Sequence, residues 1–442
     1  MVILQTLLAF IVVIGILVTV HEFGHYWVAQ RLGVKILRFS IGFGKPLWSR
    51  RFGVDKTEFV IAAIPLGGYV KMLDEHEGEV SKKDLPRAFN QQSLKVRTAI
   101  VVAGPLFNFL FAIVAYTAMS MVGVTGIKAL VNDVTPQSVA EQAGFMPGDA
   151  IVSVNEQPVK SWERVIQSTL HQLLDNKNEV SYSVQDERGY QRDLSLNLTD
   201  FTIDDIVDKQ FFNKLGIQLF PAILGDIIPN SAASISGLQT GDKVIALDKK
   251  PIEDWRAWAL YVSQHPGKEI HAEIERNHQI VELTLIPDNV NSKGRMGVYA
   301  NYRPEFVFER YGLFDALIQG VSNTWEYSVL TLRVMVKMLT LQVSYQHISG
   351  PISIAEYAGK SAQIGLSAFL SFLGLVSVSL GVINLLPIPL LDGGHLLLFL
   401  IEWLKGSPVT ENTEYFLQRI GLTLLFGLMG LAIFNDLERL FS

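Results

Sequence analysis

Leu7-Leu8-Ala9-Phe10-Ile11-Val12-Val13-Ile14-Gly15-Ile16-Leu17-Val18-Thr19-Val20-His21-Glu22-Phe23-Gly24-His25 decides the reading of this chain. Leu7 to Val20 is apolar apart from Thr19, and the run continues at helical spacing through Tyr26, Trp27, Val28 and Ala29 to Leu32. About 20 residues at a rise of about 1.5 Å cross a bilayer, so 1–33 reads as a first transmembrane helix. No basic residue precedes the run and no small-x-small cleavage site follows it, so the segment is expected to be retained rather than removed as a leader. Its end carries H-E-x-x-H. Positions i and i+4 share a helix face, so His21 and His25 can grip one ion, and Glu22 beside them can take a proton from water at that ion. An ionisable group inside a bilayer costs roughly 2–3 kcal/mol, which argues that these three are kept for chemistry.

The rest of the chain supports a multi-span α-helical membrane protein with about four transmembrane helices. Of 442 residues, 49% are hydrophobic and the mean hydropathy is +0.28. The apolar residues cluster at both ends, while roughly 125–310 reads as ordinary soluble protein. Further spans are expected at 98–124, at 366–404 (broken by Pro387 and Pro389) and at 414–442. Segment 311–365 reads as amphipathic or linker helices, with Trp325, Tyr327, Arg333 and Lys337 among apolar residues. The 34–97 loop holds twelve Lys and Arg residues, whereas none precedes the apolar run of the first span and only Arg439 follows that of the last, Ile420 to Phe434. The excess of positive charge predicts a cytoplasmic 34–97 loop, with both termini and the 125–310 block extracytoplasmic (periplasmic, for a bacterial inner membrane). The net charge of −6 and the lack of basic runs interleaved with aromatics argue against nucleic acid. With no cysteine, disulfides and thiolate ligands are excluded, so a metal must be held by His, Asp or Glu.

Within the 34–97 loop, Phe39-Ser-Ile-Gly-Phe-Gly-Lys45 and Glu58-Phe-Val-Ile-Ala-Ala-Ile-Pro-Leu-Gly67-Gly68-Tyr-Val-Lys-Met72 are strand-like runs punctuated by glycine. They predict a β-sheet that either dips into the membrane beside a cavity or lies as a small cytoplasmic sheet. The central block is duplicated. Pro136, Ser138, Ala140, Gly144, Gly148, Asp149, Pro158 and Trp162 recur 93 positions later as Pro229, Ser231, Ala233, Gly237, Gly241, Asp242, Pro251 and Trp255. Ser138-Val-Ala140 through Gly148-Asp149-Ala-Ile-Val-Ser-Val-Asn155 resembles the PDZ family. The second copy departs from that pattern at Ser236 and Asp248. Two tandem PDZ-like α+β domains, 125–220 and 221–310, follow from the resemblance. Such domains bind extended peptide as an added strand.

A catalytic zinc site needs three protein ligands and an open position. The third is sought in Asn384-Leu-Leu-Pro387-Ile-Pro389-Leu-Leu-Asp392-Gly393-Gly394-His395. The two prolines remove backbone donors and open the helix. By chemistry alone Asp392 and His395 are both candidates. Together, H-E-x-x-H, Gly104-Pro105-Leu-Phe-Asn108 and Asn384-x-x-Pro387-x-Pro389-x-x-Asp392-Gly393 resemble the site-2 protease family of intramembrane metalloproteases, in its bacterial regulator-of-sigma-E protease branch. The resemblance covers essentially the whole chain. It implies one catalytic Zn2+ on His21, His25 and Asp392, Glu22 as general base, and Asn384 holding substrate or a developing oxyanion. Pro387, Pro389, Asn108, Gly67 and Gly68 are further substrate-binding candidates. It also implies that the sheet re-enters the membrane and that a strand around Ile61–Leu66 pairs with unwound substrate. The implied substrates are single-span membrane proteins, among them an anti-sigma factor, and remnant signal peptides. The PDZ-like block would then either gate access or bind a substrate terminus. Two readings from other classes stand beside this one: a membrane metal transporter, with the broken span as a midplane site, and a catalytically inactive PDZ scaffold.

Overall fold

In a computed structural model of the chain, residues 2–77, 80–175, 177, 179–202, 205, 211–302, 304–340, 342–407 and 409–441 are described. The long elements, in chain order, begin with helix α1 (Val2–Arg31), strands β1 (Ile36–Phe52) and β2 (Thr57–Met72), and helix α2 (Leu94–Val122). The middle of the chain supplies β3 (Ala150–Val154), α3 (Trp162–Leu174), β4 (Glu179–Gln185), β5 (Gln191–Asn197), β6 (Lys243–Leu247), α4 (Trp255–Gln264), β7 (Ile270–Arg276) and β8 (Gln279–Leu285). Helices α5 (Leu313–Leu339), α6 (Pro351–Ile364), α7 (Leu366–Asn384), α8 (Asp392–Lys405) and α9 (Glu411–Phe441) complete it. The chain forms two compact units, Thr125–Phe308 and the two flanking segments together.

In the flanking unit, four helical stretches among the described residues are long and apolar enough to cross a membrane: Leu4–Arg31, Leu94–Val122, Leu366–Asn384 and Tyr415–Leu440. Large side chains such as Leu4, Leu8, Val12, Val114 and Phe426 stay exposed along them, as a lipid-facing surface requires. Helix α2 is the hub, packing against α1, α5, α7 and α8. The helical pattern expected over 366–404 is realised as two helices, because the segment 385–391 breaks it. Pro387 and Pro389 cannot donate, and Leu390 takes a positive φ of 83°. Helix α2 starts at Leu94, a turn before the expected 98, with Ser93 at its N-cap position.

Strands β1 and β2 make a sheet wider than two strands suggest. Residues 38–41 pair on one side with 68–71 and on the other with 58–61, while 57–62 also pairs with 46–52. The sheet is thus four segments wide, ordered 46–52, 57–62, 36–41 and 68–72. Gly42 makes the bend possible: its φ is 93°, and a Cβ there would overlap the Ile64 carbonyl. The sheet lies against α1, where Tyr26 meets the rings of Phe39 and Phe59.

In the Thr125–Phe308 unit the duplicated sequence becomes duplicated structure. Each half has a four-stranded antiparallel sheet: Gln157–Pro158, β3, β4 and β5 in the first, Lys250–Pro251, β6, β7 and β8 in the second. Each sheet has its own apolar core, around Tyr182, Leu196 and Ile217 in one and Leu247, Ile270 and Ile274 in the other. Ser138 and Ser231 both cap a short helix, accepting from Glu141 N and Ser234 N. Asp149 and Asp242, each about 1% exposed, take both oxygens to one arginine, Arg192 and Arg276 respectively. The arginines also donate to the carbonyls of Gly144 and Gly237. The recurring Gly-Asp is therefore a buried ion pair, a physical reason for the repeat.

Candidate metal centre

Two small residues let α1 and α2 approach closely at the site. A Cβ on Gly24 would overlap the Ala103 carbonyl, and one on Gly104 would overlap the imidazoles of His25 and His21. Phe107 closes the contact against Phe23 and Trp27, with ring centroids 5.9 and 6.0 Å away. The backbone of α2 thus comes within hydrogen-bond reach of the α1 side chains.

His21 and His25 sit one turn apart on α1, their Nε2 atoms 3.3 Å from one another. Asp392, the first residue of α8, brings Oδ2 to 3.3 Å from His21 Nε2 and 3.4 Å from His25 Nε2. Among the described residues these three are the group able to hold a metal ion. Chemistry left Asp392 and His395 open; the geometry brings Asp392 to the two imidazoles, while His395 lines the adjoining cavity.

His25 Nδ1 lies 2.8 Å from the Ile100 carbonyl oxygen, which only accepts, so neutral His25 carries its proton on Nδ1 and turns a bare Nε2 lone pair inward. His21 Nδ1 lies 3.1 Å from the Asn108 side-chain amide. Asn108 is 0% exposed and its Oδ1 makes no hydrogen bond, whereas the flipped amide would accept the His21 Nδ1 proton and satisfy both groups. Ser377 on α7 donates to the Asn108 backbone carbonyl at 2.8 Å and anchors that turn.

Three electron-rich atoms therefore converge. Asp392 Oδ2 is buried without a hydrogen bond, because the two nitrogens stand at ion-pair distance without hydrogen-bond alignment. Such a triangle is repulsive unless a cation neutralises it. Ligands about 2.0–2.1 Å from a tetrahedral zinc lie about 3.3 Å apart, the edge seen here, and three protein ligands leave one corner open. The residues fit zinc.

A cavity of about 330 Å³ adjoins the triangle. Its lining includes Glu22, His25, Asp392 and His395 together with Val70, Lys71, Met72, Asp74 and Phe89. Gly68 lies against α1, where a Cβ would crowd Val18 and Glu22, and Gly67 lies against the Phe43 ring. Within the Ile61–Leu66 stretch, Ile61 is paired on both sides, with Ile41 and Trp48, whereas Ala62 and Ile64 pair on one side only, with Pro46 and Phe43. The segment paired on one side only and lining the cavity is 68–72. Asn384 ends α7, and Pro387 and Pro389 stand in the break after it; none of the three lines the cavity. Sequence reasoning quoted Gly104 within a motif without giving it a role, and missed Gly24, Ile100 and Ser377. Ile100 acts through its carbonyl, which no residue type announces, but small residues facing each other on two apolar helices are a readable signal.

The sequence profile of peptidase family M50 matches residues 9–428. The chain is 42% identical to the regulator of sigma-E protease RseP of Escherichia coli K12 over 453 residues, covering 99% of each chain. It is 43% identical over 450 residues to the protease RseP of Yersinia pestis, again covering 99% of each. A Vibrio cholerae protein with the words zinc metalloprotease in its name is 42% identical over 451 residues and 99% of each chain.

Proposed function

Because the chain belongs to peptidase family M50 and is a site-2-type zinc metallopeptidase of the membrane, we propose that it cuts peptide bonds within or beside the transmembrane segments of single-span proteins. The observation that carries this is the convergence of His21, His25 and Asp392 beside Glu22 on helices apolar enough to cross a bilayer. These three residues would hold zinc, which supplies Lewis acidity toward a carbonyl and toward water. Ile100 and Asn108 orient the two imidazoles. Glu22 faces the cavity, accepts the proton of the attacking water and delivers it to the leaving amine. Segment 68–72 offers backbone donors and acceptors to a substrate unwound into a strand, replacing bonds its helix gives up. Asn384, Pro387 and Pro389 lie outside that cavity, and their assignment to substrate binding rests on their motif.

The substrates we infer are an anti-sigma factor, from the names of the relatives, and remnant signal peptides. The twelve basic residues of 34–97 favour a cytoplasmic position for that loop in a bacterial inner membrane, with the termini and the 125–310 block extracytoplasmic. That block, read as two PDZ-like domains, gates access by size; deleting 127–310 should release cleavage of substrates with untrimmed extracytoplasmic domains. The relatives are proteases, and neither the transporter nor the scaffold reading gains support from them.

The deciding experiment reconstitutes the chain with a single-span reporter. Glu22→Gln should bind zinc as wild type does and lose at least about 100-fold in cleavage. Full turnover by that variant removes Glu22 from the mechanism.

A further inference from the structure

The third ligand candidate opens a short helix that follows a break, so something must hold that helix in place. Helix α8 packs chiefly on α2. Its start is braced by Gly393 and Gly394, whose absent side chains let the carbonyls of the 385–391 segment come close. Among the described residues, its other end is held by one side-chain ion pair. Arg97 Nη2 lies 2.5 Å from Glu402 Oε1, a pairing across 305 residues of sequence with both side chains about 15–17% exposed. The guanidinium also sits 4.9 Å from the centroid of the buried Phe399 ring, one turn before Glu402.

We propose that Arg97 and Glu402 are positioning residues that set where Asp392 stands. The inference rests on the reading of Asp392 as a metal ligand. Arg97 belongs to the same helix as Ile100 and Asn108, which orient His25 and His21. One rigid element therefore holds the two imidazoles directly and the carboxylate through the clasp on α8. Glu402 lies ten residues beyond Asp392, about 15 Å along the helix axis. Freed at that end, α8 can tilt about the break, and a ligand set tolerates displacements of only about 0.5 Å. The clasp sits at the start of a membrane-crossing stretch, where an unpaired charge is strongly disfavoured, so losing one partner drives the helix end to move rather than merely loosening it.

The test purifies Arg97→Gln, Glu402→Gln, the charge swap Arg97→Glu with Glu402→Arg, and Phe399→Leu, with Asp392→Ala as control. Zinc dissociation constants are set by competition with a chelator, and thermal midpoints are measured on the metal-free proteins. The single charge variants should weaken zinc binding about 10- to 100-fold, the swap should restore it to within about threefold, and Phe399→Leu should fall between. Metal-free midpoints should match wild type to within a few degrees. Wild-type zinc affinity in both single charge variants, or affinity losses that merely track lowered midpoints, would overturn the proposal. Zinc retained by Asp392→Ala would instead overturn the ligand assignment beneath it.

Discussion

The Ile100 carbonyl oxygen and His25 Nδ1 are 2.8 Å apart, and this contact links two helices through a single proton. A carbonyl cannot donate, so the contact fixes which imidazole nitrogen is bare. The fixing group belongs to backbone, so it persists under any substitution at position 100 that keeps α2 straight. The side chains at the site are replaceable one at a time, and each replacement has a distinct expected outcome.

Asp392→Ala should lose stoichiometric zinc, and His395→Ala should keep it. Only the aspartate reaches the triangle of donor atoms, while the histidine lines the adjoining cavity. Metal analysis of the two purified proteins, with cleavage measured on the same samples, checks both statements.

Asn108→Ala should weaken zinc binding about 10- to 100-fold, as removal of a ligand's orienting partner does. The variant keeps both imidazoles but leaves His21 Nδ1 without its partner in a buried site. If chelator competition gives an unchanged affinity, His21 is held by packing alone.

Gly104→Ala should abolish the site with little change in the helical content of the membrane unit. The added methyl overlaps both imidazoles and must push α1 and α2 apart. Circular dichroism close to wild type alongside loss of bound zinc is the expected pair of results.

Outside the spans, Arg87 donates to both oxygens of Asp55, at 2.7 and 2.5 Å, and this hydrogen-bonded pairing holds the Asp55 carboxyl below the usual carboxylate range. A carboxyl lowered on folding adds stability above its unfolded pKa of about 3.9 and loses it as pH falls through the folded value. Both side chains are partly exposed, so the contribution is under about 1 kcal/mol. Asp55→Asn should lower the thermal midpoint slightly at pH 7, and the difference should shrink below pH 4.

Much of this architecture is legible in the sequence because each signal depends on local chemistry. The apolar runs announce membrane spans, and an i, i+4 histidine pair announces a chelating face. The 93-residue offset exposes the duplication. Two things escape. The width of the β1–β2 sheet depends on Gly42 folding a long strand back so that 38–41 is flanked on both sides, a pairing that alternation of residue types does not encode. The oriented tautomers depend on Ile100 and Asn108, which reach α1 only because Gly24 and Gly104 face each other. Chemistry alone left Asp392 and His395 open, the motif resemblance pointed to Asp392, and the geometry brings that carboxylate to the two imidazoles.

The break between α7 and α8 also changes how this protein meets heavy water. Amides in an unbroken helix within lipid exchange deuterium extremely slowly, since each is both bonded and shielded. The amides of 385–391, at the level of Asp392, keep no regular helical bond: those of Leu385, Leu386 and Leu391 reach carbonyls three residues back, that of Ile388 one two residues back, and that of Leu390 no backbone carbonyl. A short fast-labelling patch should therefore appear between two protected stretches, and its slowing when a peptide or inhibitor settles in the cavity would report occupancy without any label attached to the chain.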